Sequence, residues 1–470
     1  MQKLFTIRNL IIIGLILRLG FMFIGAPLYY GTSDYATNGG DTWSWADSMT
    51  NLVHTGTYTC DPSYEDGKFY RPPGFAFFLM IFYLISGCHL PLAFKLAVFA
   101  QILLDTISIF LVYGIVKNNK GSEKLALGAA LLYTIYPFVI VWAPVLYAET
   151  SSIFFMLWGI YLLSITPTRT SLLLAGFAIG AAILTRLQIF FIIPGLLYFI
   201  YLRSKSVKGF FTSPFIWFFI SFGITYGSWP IRNLMHGQFI PDQKLENNAH
   251  FSRDYIAFMN YIWSVKTDHR PQYDQIIHGE PVVWPKASYL HPGDSATLAR
   301  IAVQCSTCSR GFSHFMYTVG LAKERIKDYN ACSQEITETF NRLREEQIKE
   351  NFFHFAIIVP LSNLKKCIFK SALYDAKSNL VKIVSTILFS YRTLFIILGI
   401  IGLWLNRKQK MISKELSGLI LIYNISWIFM LCFVYRNIEI RYLLMTDILL
   451  LLPAMITIQV LFKTTNKKPV

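Results

Sequence analysis

Ten long apolar runs decide what this chain can fold into. They fall at about residues 8–27, 92–116, 124–143, 150–165, 170–185, 187–203, 211–230, 380–405, 415–435 and 440–462. A bilayer core needs roughly 20 apolar residues per helical crossing, and these runs hold about 16 to 26. Inside hydrocarbon, only helices and closed barrels satisfy every backbone polar group. The predicted fold is therefore an all-α polytopic membrane protein with about ten transmembrane helices. Composition agrees: 54% of residues are hydrophobic and 15% charged, against about a quarter charged in a soluble domain. An ordinary soluble enzyme, a disordered chain and a disulfide scaffold are all excluded.

Charge placement sets the orientation. The 43 basic and 27 acidic residues leave a net +16, which invites a nucleic-acid reading. The basic residues, however, lie mostly in short loops between apolar runs, and no nucleic-acid motif accompanies them. With a cytoplasmic N-terminus, sixteen fall inside: Lys3, Arg8, Lys117, Lys120, Lys124, Arg169, Arg203, Lys205, Lys208, Arg407, Lys408, Lys410, Lys414, Lys463, Lys467 and Lys468. Only Glu123 and Glu415 oppose them there. This is the positive-inside bias, with both termini cytoplasmic. Counting the fourteen-residue run 74–87 as a crossing would invert every later loop. It is read instead as a re-entrant or surface-lying helix. The first run reads as a signal anchor, because Ala26-Pro27 makes a poor cleavage site.

Alternation then divides the chain into a transmembrane module, 1–230, with a first outer loop at 28–91; an extracytoplasmic insert, 231–379; and C-terminal transmembrane helices, 380–470. The insert reads as mainly helical and irregular. Its stretch 321–350 has helical periodicity, and 352–370 reads as a surface-lying helix broken at Pro360. Five cysteines, Cys60, Cys305, Cys308, Cys332 and Cys367, face outward, and their pairing stays open. The Cys305-x-x-Cys308 spacing, with His314 and Cys332, admits a zinc set; disulfides or free thiols are the plainer reading. Seven of the nine histidines lie in the insert, including His250, His269, His278 and His291; surface hydrogen bonding explains them without a ligand role.

Six short constellations gather at the outer ends of the runs. Gly39-Gly40-Asp41 opens a helix from Thr42 to about His54, with Asp41 as its N-cap or as a general base; Asp47 follows on the same helix. Tyr70-Arg71-Pro72-Pro73-Gly74 holds a guanidinium at headgroup depth on a stiff turn, suited to a phosphate. Tyr147-Ala148-Glu149, Leu184-Thr185-Arg186, Trp229-Pro230-Ile231-Arg232-Asn233 and Arg436-Asn437-Ile438-Glu439-Ile440-Arg441-Tyr442 complete the set. Each arginine alone fits an interface anchor. Together, carboxylates and arginines from different helices suit an anionic lipid headgroup beside an acid–base step.

In their order and topological positions these elements resemble the C-type membrane glycosyltransferases that use polyprenyl-phosphate sugars, among them the protein O-mannosyltransferases and the lipid A aminoarabinose transferase. The resemblance runs through the first seven spans and returns at Arg441-Tyr442. It implies that Asp41 and Glu149 are the catalytic acidic residues, with Asp41 as general base or acceptor-orienting group. It implies a phosphate-binding role for Arg71, joined by Arg186, Arg232 and Arg441, with Asp47 and Tyr70 in the substrate site. Some relatives carry an acidic metal ligand where this chain has Tyr70; no cofactor is assigned, and a divalent metal stays open. The activity implied is transfer of a sugar from a polyprenyl-phosphate donor to an acceptor hydroxyl outside the cytoplasm, with inversion. Its partners would be that donor, a glycan, lipid or protein acceptor, and the bilayer, with no nucleic acid. The implied location is a bacterial inner membrane. Lipid-linked saccharide polymerase or ligase chemistry and a flippase are the alternatives. A flippase is disfavoured because the polar residues cluster at one face and the two halves show no repeat.

Overall fold

Each predicted run is helical over most of its length in the computed structural model of the protein, which describes residues 6–30, 40–204, 214–241, 243–244, 251–318, 331–369 and 379–465. No strand occurs among these residues. Gly39, Lys3, Lys205, Lys208, Lys467, Lys468, His250 and the stretch 321–330 lie outside them.

The first half runs through α1 (Ile7–Leu28), α2 (Gly40–Thr55), α3 (Gly74–Ile85), α4 (Leu90–Asn118), α5 (Glu123–Thr134), α6 (Pro137–Trp142), α7 (Ala148–Ser164), α8 (Arg169–Thr185), α9 (Leu187–Ser204) and α10 (Ile216–Met235). The second half has α11 (Arg253–Val265), α12 (Arg270–His278), α13 (Asp294–Cys308), α14 (Arg310–Thr318), α15 (Ser333–Glu350), α16 (Val359–Phe369), α17 (Asn379–Gln409), α18 (Lys414–Tyr435) and α19 (Ile440–Thr465). Six of the described helices, α1, α4, α9 and α17 to α19, contain segments long and apolar enough to cross a membrane. The protein is an integral membrane protein. The other predicted crossings are shorter, broken or polar at one end. The run 124–143 is interrupted at Ile135 and Tyr136, where α5 stops and Pro137 opens α6.

α3 has twelve residues, a rise of only about 18 Å against a hydrocarbon core of about 30 Å. It lies beside α2: Trp45 packs edge-on to Phe75, and His54 Nε2 lies 2.9 Å from the Tyr83 hydroxyl. Loops on the opposite face of the bundle are tied together. Asn119 Nδ2 donates to Ser164 Oγ at 2.8 Å, Ser413 Oγ donates to Asn119 Oδ1 at 3.0 Å, and Arg203 donates to the carbonyls of Leu163, Ser164 and Ile165. The described residues among the sixteen predicted inside charges sit on or beside this face, hereafter the basic face. The other is the site face.

Two buried Arg–Asp–Tyr groups pin the bundle. Arg18 of α1 and Tyr133 of α5 both donate to Asp105 of α4. Arg392 of α17 grips Asp447 of α19 with Nε at 2.6 Å and Nη2 at 2.9 Å, and the Tyr136 hydroxyl donates to the same carboxylate at 3.0 Å. A charge in hydrocarbon is costly unless paired, and here each pair fixes helices that are distant in sequence.

Helices α11 to α15 enclose a separate core around Phe258, Tyr261, Leu298, Phe312 and Phe340. Buried Asp254 accepts hydrogen bonds there from Ser309 and Ser333, and a Cys308–Cys332 disulfide closes the turn into α15. That bond takes Cys308 and Cys332 out of the zinc set considered from spacing. The predicted break at Pro360 is also displaced. The chain bends by 95° between Glu350 and His354, and Pro360 follows a π-helical turn as the second residue of α16, where a missing N–H is tolerated.

Candidate active site

The start of α2 builds one wall of the site. The helix begins at Gly40, so Asp41 lies inside its first turn rather than capping it. Asp41, Ser44 and Trp45 stand three and four residues apart and share a face. All three engage Arg71. Its Nη2 donates to Asp41 Oδ1 at 2.5 Å, its Nε donates to Ser44 Oγ at 2.9 Å, and its guanidinium lies 4.5 Å from the Trp45 ring centroid and 4.6 Å from that of Tyr70. Thr42 Oγ1 donates to the Leu146 carbonyl at 3.0 Å, which ties α2 to the turn that opens α7 and presents Glu149.

The proline turn is docked, not merely stiff. Tyr58 donates from its hydroxyl to the Arg71 carbonyl at 3.0 Å. A Cβ on Gly74 would sit 2.5 Å from the Thr185 amide nitrogen and 2.6 Å from the Leu184 carbonyl carbon. Only glycine allows that approach. It brings the Arg71 turn against the end of α8, where Arg186 leaves the helix.

Arg441, at the start of α19, is the hub. Its Nη1 donates to Asp41 Oδ2 at 2.5 Å and its Nε donates to Glu439 Oε2 at 2.6 Å; Glu149 Oε1 lies 3.8 Å away. Arg186 Nη1 reaches Glu149 Oε1 at 3.0 Å. Three arginines and three carboxylates thus form one electrically balanced network, rimmed by the rings of Tyr147 and Tyr442. Glu149 is 1% exposed, and neither of its oxygens has a hydrogen-bond partner of good geometry among the described residues. Burial alone would raise the Asp41 pKa, but Arg71 and Arg441 outweigh it and hold the carboxyl well below the usual range.

Six of the eight candidate residues, Asp41, Tyr70, Arg71, Glu149, Arg186 and Arg441, meet here. Arg232 does not. Its guanidinium donates to the Lys68 carbonyl at 2.7 Å and the Tyr58 carbonyl at 3.0 Å, and packs on Trp229. Beside it, Asn233 donates to the Ile240 carbonyl at 2.8 Å. The Trp-Pro-x-Arg-Asn exit is a clamp on the loop that carries Tyr58. Asp47 also lies apart: burial and the nearby charge of Asp61 push its pKa up to about 6, and its carboxylate has no cation partner among the described residues. Glu439 joins the network from within the last motif, where it stands between Arg436 and Arg441 and carries no signal of its own beside them. His269, from α11–α12, feels the Glu439 charge, yet burial dominates and lowers its pKa to about 4.

A divalent metal does not fit this donor set. Each carboxylate of the network faces a guanidinium, and among the described residues no group of three His, Cys, Asp or Glu side chains could hold an ion. Tyr70, where some relatives supply an acid, is a buried phenol that accepts from Arg71 Nη2 at 3.3 Å.

Residues 70–229 match the family model of the dolichyl-phosphate-mannose-protein mannosyltransferases, which takes in Arg71, Glu149 and Arg186. Among solved structures the chain is similar to the Archaeoglobus fulgidus oligosaccharyltransferase. One structure, tethered with an acceptor peptide containing the NVT sequon, has a TM-score of 0.53 at 12% identity, covering 97% of this chain and 50% of that one. A second, in complex with Zn and sulfate, has a TM-score of 0.52 at 13% identity, with 97% and 49% coverage. A third, in complex with an inhibitory peptide and a dolichol-phosphate, has a TM-score of 0.50 at 14% identity, with 97% and 50% coverage. The chain spans about half the length of these structures. No curated protein sequence matches it. The fold is that of the C-type membrane glycosyltransferases, and residues 70–229 carry the sequence signature of one of their families.

Proposed function

We propose that the protein transfers a sugar from a polyprenyl-phosphate donor to an acceptor hydroxyl, with the site face outside the cytoplasm. The observation that carries this reading is the shared Asp41: both its oxygens are held by Arg71 and Arg441, the two arginines best placed to take a phosphate. A donor phosphate competes for these guanidinium groups, which favour bidentate binding of anions. As they turn to it, Asp41 loses the charges that hold its pKa down and becomes the stronger base.

The acceptor oxygen attacks the anomeric carbon from the face opposite the phosphate. The bond from that carbon to the phosphate oxygen breaks, and its electron pair leaves with the phosphate. Asp41 takes the hydroxyl proton. Arg71, Arg441 and Arg186 offset the charge on the departing phosphate, and Glu149 faces the positive charge that spreads over the sugar ring. A single displacement inverts the anomeric centre. No step requires a metal. Residues 231–379 act as an extracytoplasmic domain beside the acceptor path, with Phe251 packed against Tyr70 and His269 within the field of Glu439. The matched family model and the solved structure holding a dolichol-phosphate support the donor class. The charge bias across the described loops supports a cytoplasmic basic face and cytoplasmic termini; the membrane we assign is a bacterial inner membrane.

The test is turnover of radiolabelled polyprenyl-phosphate sugars by detergent-purified protein. Asp41→Asn is expected to lower transfer by about 10²- to 10⁴-fold, the usual range for a positioned base, while donor binding persists. Full activity in that variant would remove Asp41 from its role. Transfer from pyrophosphate donors alone would move the protein to polymerase or ligase chemistry.

A further inference from the structure

A second site lies on the far side of α18 from the acid–base network, and glycines create it. Gly399 and Gly402 bring α17 against the backbone of α19: a Cβ would meet the Leu450 carbonyl oxygen at 2.7 Å and the Pro453 carbonyl oxygen at 1.9 Å. Gly195 likewise presses α9 on α18, where a Cβ would meet the Leu419 carbonyl oxygen at 2.9 Å. Small residues allow such close helix contacts in membranes. Because α17 follows α19 and α18 follows α9, the two diverge and leave a groove of about 1,040 Å³ between them, with Leu450 on its floor and α16 across one end.

The groove is apolar along its length. Leu421, Ile425, Ile428 and Phe429 of α18 face Ile400 and Trp404 of α17. The lining of α18 runs from Lys414 to Phe433, about 30 Å of helix, which is the depth of the hydrocarbon core. At roughly the 30 Å³ that one water occupies, the volume holds about 35 methylene-sized groups, the bulk of two acyl chains.

Its mouth on the basic face is cationic. Lys120, Arg407, Lys410 and Lys414 line it, all exposed, and none has an acidic partner among the described residues. Glu415, the nearest acid in sequence, acts on Arg203 instead. The mouth is also built. Asn406 donates to the Ile412 carbonyl at 3.0 Å and accepts from the Ile412 amide at 2.9 Å, and Ser413 donates from its amide to the Asn119 carbonyl at 2.7 Å. The loops carrying Lys120 and Lys410 are thereby fastened together. Both lysines have positive φ, 70° and 50°, at helix ends where glycine is the usual residue. An orientation bias explains basic residues on this face; it does not explain four unpaired cations around the mouth of an apolar groove.

We infer that the groove between α17 and α18 is a binding site for an anionic phospholipid, its acyl chains along α18 and its phosphate among Lys120, Arg407, Lys410 and Lys414. The site is independent of the transfer reaction. The test is native mass spectrometry of the full chain in mild detergent, supplied with phosphatidylglycerol or phosphatidylethanolamine. Phosphatidylglycerol is expected to be retained about tenfold better, and the R407Q/K410Q/K414Q variant to bring the two to parity, because the cations at the mouth carry the preference for a net negative headgroup. Leu421→Trp, which fills the groove from an exposed position, is expected to lose both lipids. Equal retention by the wild type, unchanged preference in the charge variant, or full retention by Leu421→Trp would each overturn the proposal. So would one-for-one displacement of phosphatidylglycerol by polyprenyl phosphate, which would assign the groove to the donor. All four positions are exposed, so the variants are not expected to disturb folding.

Discussion

The same side chains are used in opposite ways at two depths of this molecule. In the bundle, Arg392 and Asp447 form a closed pair, 1% and 3% exposed, with Tyr136 on the carboxylate and the Cys367 carbonyl accepting from Arg392 at 2.6 Å. Arg18, Asp105 and Tyr133 form a similar buried group, joined through a single Arg18 nitrogen, with Arg18 Nη2 left without a hydrogen-bond partner among the described residues. Little is left for a ligand to take. At the site face, Arg71 and Asp41 are 12% and 23% exposed, one arginine is shared among three carboxylates, and buried Glu149 lacks a well-formed hydrogen bond. A closed pair orders helices. An open, balanced network can exchange one of its anions for a phosphate without leaving a charge stranded.

That contrast is broken most directly by truncation. Arg392→Leu leaves Asp447 unpaired in the bundle and is expected to cost about 3–5 kcal/mol, whereas R392L/D447L, which removes both charges, recovers most of it. Thermal unfolding in detergent measures both. Arg441→Leu is expected to spare the fold, since Arg71 and Arg186 still hold Asp41 and Glu149, yet abolish transfer. A large loss of stability in Arg441→Leu, equal to that of Arg392→Leu, would make the network a structural pin like the other two.

Gly74→Ala tests whether the open network depends on one backbone contact. The added methyl would meet the Thr185 and Leu184 backbone, which cannot step aside. We expect about 1–3 kcal/mol of overpacking strain and a larger fractional loss of turnover than of stability, because the shift separates Arg71 from Arg186. Arg71→Lys is gentler. It keeps the charge but loses the fork that spans Asp41 and Ser44. Its expected signature is a KM for donor raised about tenfold, or about 1.4 kcal/mol, with kcat less affected.

The helical architecture was legible because apolar runs of bilayer length admit few alternatives. The gathering of Asp41, Arg71, Glu149, Arg186 and Arg441 was legible only as a shared face, through alternation of the runs. Which arginine meets which acid was not, since Arg441 and Asp41 are 400 residues apart and no local spacing brings their helices together. Arg18 and Asp105 stood in plain view as charges inside apolar runs, yet 87 residues separate them and no local spacing pairs them. Arg232 is the opposite case. Its surroundings suit a phosphate ligand, and only the carbonyls of Lys68 and Tyr58, more than 160 residues earlier, make it a clamp. The groove was hidden because its cause is relational: glycines press α17 on α19 and α9 on α18, and no local pattern in the sequence says which neighbour each helix follows.

Asp47 is a third case, an acid with neither the closed pairing of Asp447 nor the shared cations of Asp41, and it gives the smallest expected effect. Burial and Asp61 raise its pKa from 3.8 to about 6. The folded state therefore holds this proton more tightly than the unfolded chain does. The resulting stabilisation is fully present below pH 3.8 and is lost as pH rises through about 6. Because the group is partly solvated, the expected loss is discounted to about 1 kcal/mol. Asp47→Asn cannot ionise, so over that window its stability should stay level where the wild type declines, and above pH 6 the variant should be the more stable. Measured unfolding midpoints between pH 4 and 7 decide the matter. Parallel curves would mean that a cation reaches Asp47 in the membrane-bound protein and that it belongs with the open network; diverging curves would leave it a lone acid, free to titrate as substrate approaches.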